Sequence, residues 1–316
     1  MPGMNTNDFA RVQGAVRILF GLICLINLLL HLDPSYGNGF SASMNHAADA
    51  AGQPGWLGGW VAAVTAVIEA IGPKTAAGFM LVLEAILAAS LLTGVGTGAF
   101  AWLGVAYNLF LWTTLGGLGG PYTSSPTDPG TGIVYALAFL VIWLTRAGDG
   151  LSLARRAVSG PPAGWRLRAG LLLFAALWGF DVYWKWHPAF LDHADGFLVA
   201  ARAGQPTWIA AWISLLIDTI RVVGASRFGF IVALTESFIA LGLLLGVWRR
   251  GAWLAWTLWG GFLYSILLWS SAEGLGGPYG AGFTGNKGDV LGTANIYAMI
   301  FLMLWTAARR ETMHRA

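Results

Sequence analysis

Two carboxylates stand in the middle of long apolar runs. Glu84 lies in FMLVLEAILAASLL and Glu236 in FIVALTESFIALGLLL, 152 positions apart. A charged side chain at mid-bilayer costs roughly 2.5–3.5 kcal/mol on insertion scales, so such a residue faces a bundle interior, paired or protonated. Two chemistries suit it. One is a proton relay or a hydrogen-bond partner for a quinone head group. The other is a structural carboxyl that ties helices together. Asp181 and Lys185 come next, four residues apart with the acid N-terminal to the base. That spacing puts both on one helix face and suits an intrahelical ion pair. Lys185 is equally placed to bind an anion or to reach Glu236. At the offset set by Pro34 and Pro188, the pair aligns with Asn27 and His31.

Two GLGGPY loops, Gly117–Tyr122 and Gly274–Tyr279, offer a third kind of chemistry. Glycine pairs permit positive φ and tight turns. The amides of Gly119, Gly120, Gly276 and Gly277 are candidates for an anion-binding nest, with Tyr122 and Tyr279 beside them. The alternative is a re-entrant turn that caps the bundle. Asp128 and Asp289 in the tails of these loops are candidate helix N-caps. His31, His46, His187 and His193 fall in or beside long loops, with Asp33, Asp49, Asp192 and Asp195 near them. HPAFLDHADG is the densest cluster, and His187 and His193 are weak metal candidates. Their spacing matches no standard metal motif, so no metal site is assigned and a solvated loop is the alternative. Cys24 is the single cysteine of the chain. One thiol forms no intrachain disulfide, no c-type haem site and no iron–sulfur site. Redox chemistry therefore calls for a bound cofactor, a quinone or a partner subunit.

The elements that must position these residues repeat. AGQPGW at Ala51–Trp56 returns as AGQPTW at Ala203–Trp208, offset by 152. GLGGPY, Tyr107 and Trp112 return 157 positions on, as Gly274–Tyr279, Tyr264 and Trp269. Tyr135 and Trp143 return 162 positions on, as Tyr297 and Trp305. Ordered landmarks with small insertions make the chain a tandem duplication. The reading is one unit over 1–150, a linker over 151–168 and a second unit over 169–316. Each unit is expected to hold four spans. In the first they lie near Val16–Leu32, Ala76–Leu92, Phe100–Leu115 and Gly132–Leu144. In the second they lie near Leu171–Trp186, Gly229–Val247, Trp253–Trp269 and Thr293–Ala307. The expected fold is thus all-α: two tandem four-helix transmembrane bundles, about eight spans, as a parallel internal repeat. Amphipathic Leu57–Ile71 and Ile209–Val223 are expected to lie on the membrane surface. The first apolar run ends in HLDPSYG without a small-x-small cleavage site, so it is expected to stay in the protein.

Composition fits a membrane protein. Of 316 residues, 56% are hydrophobic and 10% charged, against about 25% charged in soluble domains. The mean hydropathy is +0.64. This excludes a disordered chain, a coiled coil and a nucleic-acid module. Seventeen Trp and 44 Gly suit interfacial anchoring and close helix approach. Twelve of the 18 basic residues, among them Arg11, Arg17, Arg146, Arg155, Arg249 and Arg310, fall on one expected side. The positive-inside rule makes that side cytoplasmic, with both termini on it, in the inner (cytoplasmic) membrane.

The unit pattern resembles the DoxX/DoxD superfamily of membrane proteins: four spans, an acidic residue in the second span, a Gly-Pro-Tyr loop before the fourth, and GFDVYWKW ending the first span of the second copy. In particular it is similar to the DoxD-type small subunit of thiosulfate:quinone oxidoreductase. The resemblance implies an integral membrane subunit near the quinone pool, with a partner subunit, oxidising thiosulfate to tetrathionate. By the same resemblance Glu84, Glu236 and Lys185 are the catalytic candidates. Asp181 and His31 join the loop residues as substrate- or anion-binding candidates. His31 stands where the second copy has lysine. Two alternatives are an accessory subunit of a larger membrane complex and a small-solute transporter, since parallel repeats also occur in transporters.

Overall fold

A computed structural model describes residues 5–48, 53–120, 129–154, 162, 164–277, 279 and 291–315. Within them the first repeat forms α1 (Thr6–His31), α2 (Pro34–Ala48), α3 (Gly55–Ile71), α4 (Pro73–Thr93), α5 (Thr97–Thr113) and α6 (Thr131–Thr145). The second forms α7 (Gly164–Lys185), α8 (Pro188–Leu191), α9 (Ala194–Arg202), α10 (Thr207–Val223), α11 (Ala225–Gly246), α12 (Ala252–Ser270) and α13 (Ala294–Arg315). Single 3-10 turns at Gly117–Gly119 and Gly274–Gly276 follow α5 and α12.

The ends of these helices follow from local chemistry. Asn5 and Asp8 form a capping box at the start of α1, which satisfies otherwise orphaned amides. Pro73 begins α4 and Gly94, at φ 75°, ends it in the left-handed conformation, the usual proline-in, glycine-out asymmetry. The two glycine turns are superimposable in dihedral terms. Leu118 and Leu275 both sit at φ 59°, ψ 21°.

Five described helices are long and apolar enough to cross a membrane: α1, α4, α7, α11 and α12. The chain is therefore a multi-pass membrane protein, and its packed helices are consistent with membrane residence. This corrects the expected two four-helix transmembrane bundles with about eight spans. The long helices divide two and three between the repeats. A helix rises 1.5 Å per residue, so a 30 Å hydrocarbon core needs about 20 residues. The 17-residue α5 and 15-residue α6 fall short, α6 running only between its caps Gly130 and Arg146, the latter ending it in the left-handed conformation. The last turns of α13 carry Arg309, Arg310 and Glu311.

Of α5 and α6, α6 is largely buried inside the protein. α5 lies along α6, and α12 along α13. α1 packs on α4, and α7 on α11. The repeats meet where α13 packs against α1 and α6, and where α6 packs against α7. One continuous core runs through both repeats, from Phe20 and Phe139 to Phe174 and Phe301. A smaller cluster of Leu198, Ile209, Ile213, Ile217 and Ile220 sits between α9 and α10. The surface helices α3 and α10 turn Trp56, Trp60, Trp208 and Trp212 outward, the placement expected of interfacial tryptophans.

Candidate functional site

The mid-span carboxylate of each repeat lies at the centre of a polar cluster. In the first repeat the imidazole Nδ1 of His31, at the end of α1, is 2.9 Å from Glu84 Oε2 on α4. Tyr107 on α5 donates its hydroxyl to Glu84 Oε1 at 2.6 Å. Tyr36 on α2 stacks on His31 with ring centroids 4.2 Å apart and planes 16° from parallel. Burial and then the negative charge of Glu84 hold the Tyr36 phenol above its ordinary range, so it stays protonated. Lower in the same cluster, Asn27 Nδ2 donates to Tyr135 Oη at 3.4 Å.

The second repeat builds the same cluster with other residues. Tyr264 donates to Glu236 Oε1 at 2.8 Å, matching Tyr107 and Glu84. Lys185 Nζ is 3.7 Å from Glu236 Oε1, in the place of His31. Phe190 lies 4.8 Å from the Lys185 ammonium as a cation–π partner, in the place of Tyr36. Tyr297 donates to Asp181 Oδ2 at 3.1 Å, in the place of the Asn27–Tyr135 pair. Glu236 is 1% exposed and its carboxylate is enclosed.

What surrounds the clusters differs. Beside Glu84 and His31 lies a cavity of about 940 Å³, also lined by Cys24, Asn27, Tyr107 and Tyr135. Ser43, His46 and Gln53 add polar side chains to its lining. The Asn27 carbonyl oxygen is buried in this lining with no hydrogen-bond partner among the described residues. Buried polar atoms are ordinarily paired, so the cavity is furnished for a ligand that supplies a donor. In the second repeat Trp178 occupies the position equivalent to Cys24, and its 2%-exposed indole fills the space beside the cluster.

The other predicted residues are placed as follows. The amides of Gly119 and Gly120 donate to Gly116 and Gly117 oxygens at 2.7 and 3.0 Å. Those of Gly276 and Gly277 donate to Glu273 and Gly274 oxygens at 2.8 and 3.1 Å. These amides hold the turn together rather than facing an anion. A side chain at Gly119 would come within 2.1 Å of the Pro129 carbonyl, so only glycine fits. Trp112 and Trp269 donate to the oxygens of Pro129 at 2.7 Å and Leu291 at 2.6 Å, just ahead of α6 and α13. Tyr279 donates to the Leu275 oxygen. Tyr122, Asp49, Asp128 and Asp289 lie outside the described residues. His187 caps α8, accepting from the Ala189 amide at 3.3 Å, and His193 precedes α9. Among the described residues no three metal-ligating side chains gather.

Thus Glu84 comes together with His31, and Glu236 with Lys185, while the first glycine turn lines the Glu84 cavity through Gly117 and Gly120 without a hydrogen bond to the carboxylate. Sequence reasoning missed Tyr107, Tyr264, Tyr135, Tyr297 and Tyr36. Four of these were visible as landmarks of the duplication, since a tyrosine retained in both copies at constant offset is a candidate partner for a retained carboxylate. No family model matches the chain, and the curated proteins and solved structures give no match either.

Proposed function

We propose that the chain is a membrane subunit of quinone-linked redox metabolism, and that the first repeat holds its quinone site. One observation carries this reading: the cavity of about 940 Å³ beside the Glu84–His31–Tyr107 cluster. Its apolar and aromatic walls, with a few convergent polar groups, have the make-up of a small-molecule site. A bound quinone accepts two electrons and two protons. His31 and Tyr107 would hold its oxygen edge, and Glu84, hydrogen-bonded to both, would pass protons to that edge. Asn27 Oδ1 would accept from the hydroxyl of the reduced form. The resemblance to the DoxD-type subunit supplies the electron donor. Two thiosulfates joined as tetrathionate release two electrons, delivered through a partner subunit.

The buried Lys185–Glu236–Tyr264 cluster, with Trp178 against it, favours a structural role for the second repeat. A structural or accessory subunit of a larger membrane complex, doing no chemistry itself, is the second reading, carried by the same closed cluster.

The membrane orientation is part of the proposal. Arg17 donates to the oxygens of Leu91, Ala147, Gly148, Gly150 and Leu151, and Arg310 to Gln13 at 2.7 Å. The start of α1, the end of α6 and the end of α13 therefore share one basic end of the bundle. By the positive-inside rule this end faces the cytoplasm, with the N- and C-termini, and the membrane is the inner one.

The test is thiosulfate-dependent quinone reduction by membranes that carry the chain. Glu84→Gln is expected to lower the rate at least tenfold, about 1.4 kcal/mol of barrier. Glu236→Gln is expected to act mainly on stability. An unchanged rate in Glu84→Gln overturns the role of Glu84.

A further inference from the structure

The two repeats share an aromatic cage, and only one of them fills it. In the second repeat the indole of Trp178 sits among four rings. Its centroid lies 6.2 Å from Phe174, 6.1 Å from Tyr264, 5.4 Å from Tyr297 and 5.7 Å from Phe301. The repeat offsets map these four onto Phe20, Tyr107, Tyr135 and Phe139. Three of the mapped rings keep similar mutual distances. Phe20 lies 5.0 Å from Phe139 and 5.4 Å from Tyr135, against 4.6 and 5.8 Å for Phe174 with Phe301 and Tyr297. Behind each cage a glycine lets the distal phenylalanine lie on the helix backbone. A side-chain carbon at Gly104 or Gly261 would meet Phe139 at 2.4 Å or Phe301 at 2.2 Å.

At the centre, the offset of 154 sets Cys24 opposite Trp178. A thiol replaces a two-ring side chain, and the space beside Cys24, Tyr107, Tyr135 and Phe139 is open cavity. Cage walls are retained while the occupant is deleted. The second repeat therefore shows, with its own side chain, what shape the first receives.

We infer that the first repeat binds one flat, fused two-ring aromatic molecule per chain, in the position that the Trp178 indole takes in the second. Rings of this kind favour edge-to-face and offset contacts with the cage. The edge nearest Glu84, His31 and Asn27 carries the ligand's polar atoms. Trp178 donates its ring N–H to no partner among the described residues, so the second cage serves shape alone, whereas the first adds the orphaned Asn27 oxygen. Position 24 is thus the specificity-determining residue of the site, and the tryptophan at its counterpart closes the second repeat to ligand. The inference rests on the quinone reading only for the chemistry of the polar edge. The ring size follows from the cage.

The experiment uses the purified full chain in detergent, titrated calorimetrically with three probes. These are 2,3-dimethyl-1,4-naphthoquinone, tetramethyl-1,4-benzoquinone and indole. The two-ring quinone is expected to bind at one per chain and at least tenfold more tightly than the one-ring quinone. Cys24→Trp is expected to abolish saturable binding, with its thermal unfolding showing that it folds. Equal affinity for both quinones in the wild-type protein overturns the ring-size inference and needs no variant. Saturable binding retained by folded Cys24→Trp overturns the location. Binding of indole without either quinone keeps the cage inference and sinks the quinone reading. A further arm uses Trp178→Gly. Indole is expected to raise its unfolding temperature more than that of the wild-type chain, and an equal shift in both overturns the equivalence of the cages.

Discussion

Glu84 and Glu236 are the same residue twice, yet their surroundings give them different work. Each accepts a tyrosine hydroxyl and faces a basic or imidazole side chain from the end of the preceding long helix. Around Glu236 the charge is matched by an ammonium with a phenylalanine ring over it. Removing one member of a buried pair leaves the other charge uncompensated, at a cost of roughly 3–5 kcal/mol. Glu236→Ala should therefore lower the thermal unfolding temperature in detergent markedly, and Lys185→Met, Glu236→Leu together should recover part of the loss. At Tyr107 the expected loss is smaller. Tyr107→Phe removes a 2.6 Å bond to a buried carboxylate, about 1.5–3 kcal/mol for a charged acceptor. It should weaken quinone binding without altering membrane insertion, and ligand affinity measured beside unfolding temperature separates the two effects.

Among the elements, the last two helices of each repeat carry most of the rings of the site. α5 and α6 lie together because Gly104 accepts Phe139 against its backbone, and α12 and α13 repeat this with Gly261 and Phe301. Overpacking such a contact costs typically 1–3 kcal/mol. Gly104→Val should displace Phe139 into the cavity and lower both stability and ligand affinity. Gly261→Val should lower stability with little change in affinity, because its repeat is closed. Comparison of the two variants by thermal unfolding and ligand titration checks the division of labour. The glycine turns act likewise as structure. Their amides are consumed within the turn, and Trp112 and Trp269 fasten the residues just ahead of α6 and α13. A nest for an anion requires amides that converge on open space, and these do not.

Across the molecule, the repeats are joined rather than merely tethered. α13 of the second repeat packs on α1 and α6 of the first, and Gln13 of α1 accepts from Arg310 of α13. Both side chains are buried, at 0% and 1% exposed. Gln13→Ala deprives a buried guanidinium of an acceptor, expected to cost about 1–3 kcal/mol. The unfolding temperature should fall with a single transition retained, because the core is continuous across the join. Two separate transitions would show that the repeats unfold independently.

The duplication, the mid-span carboxylates and the membrane class were legible in the sequence. Repeated motifs and apolar runs are local patterns, and a carboxylate in an apolar run is conspicuous wherever it folds. The position of Lys185 opposite Glu236 was legible only as an alternative, and that of His31 opposite Glu84 only indirectly, through its alignment with Lys185. The number of spans was not. Apolarity marks α5, α6 and α13 as spans, but an apolar helix covered by protein and one covered by lipid read alike, and only helix length and packing separate them. Nor did the sequence disclose the cavity. Cys24 and Trp178 are unremarkable residues in apolar runs, and their difference acquires meaning only when rings from their own helix and from two others are brought together around them. Local pattern determined which residues are polar among apolar neighbours. Tertiary packing decided which of those residues face open space, because a void is a property of what surrounds a residue and not of the residue itself.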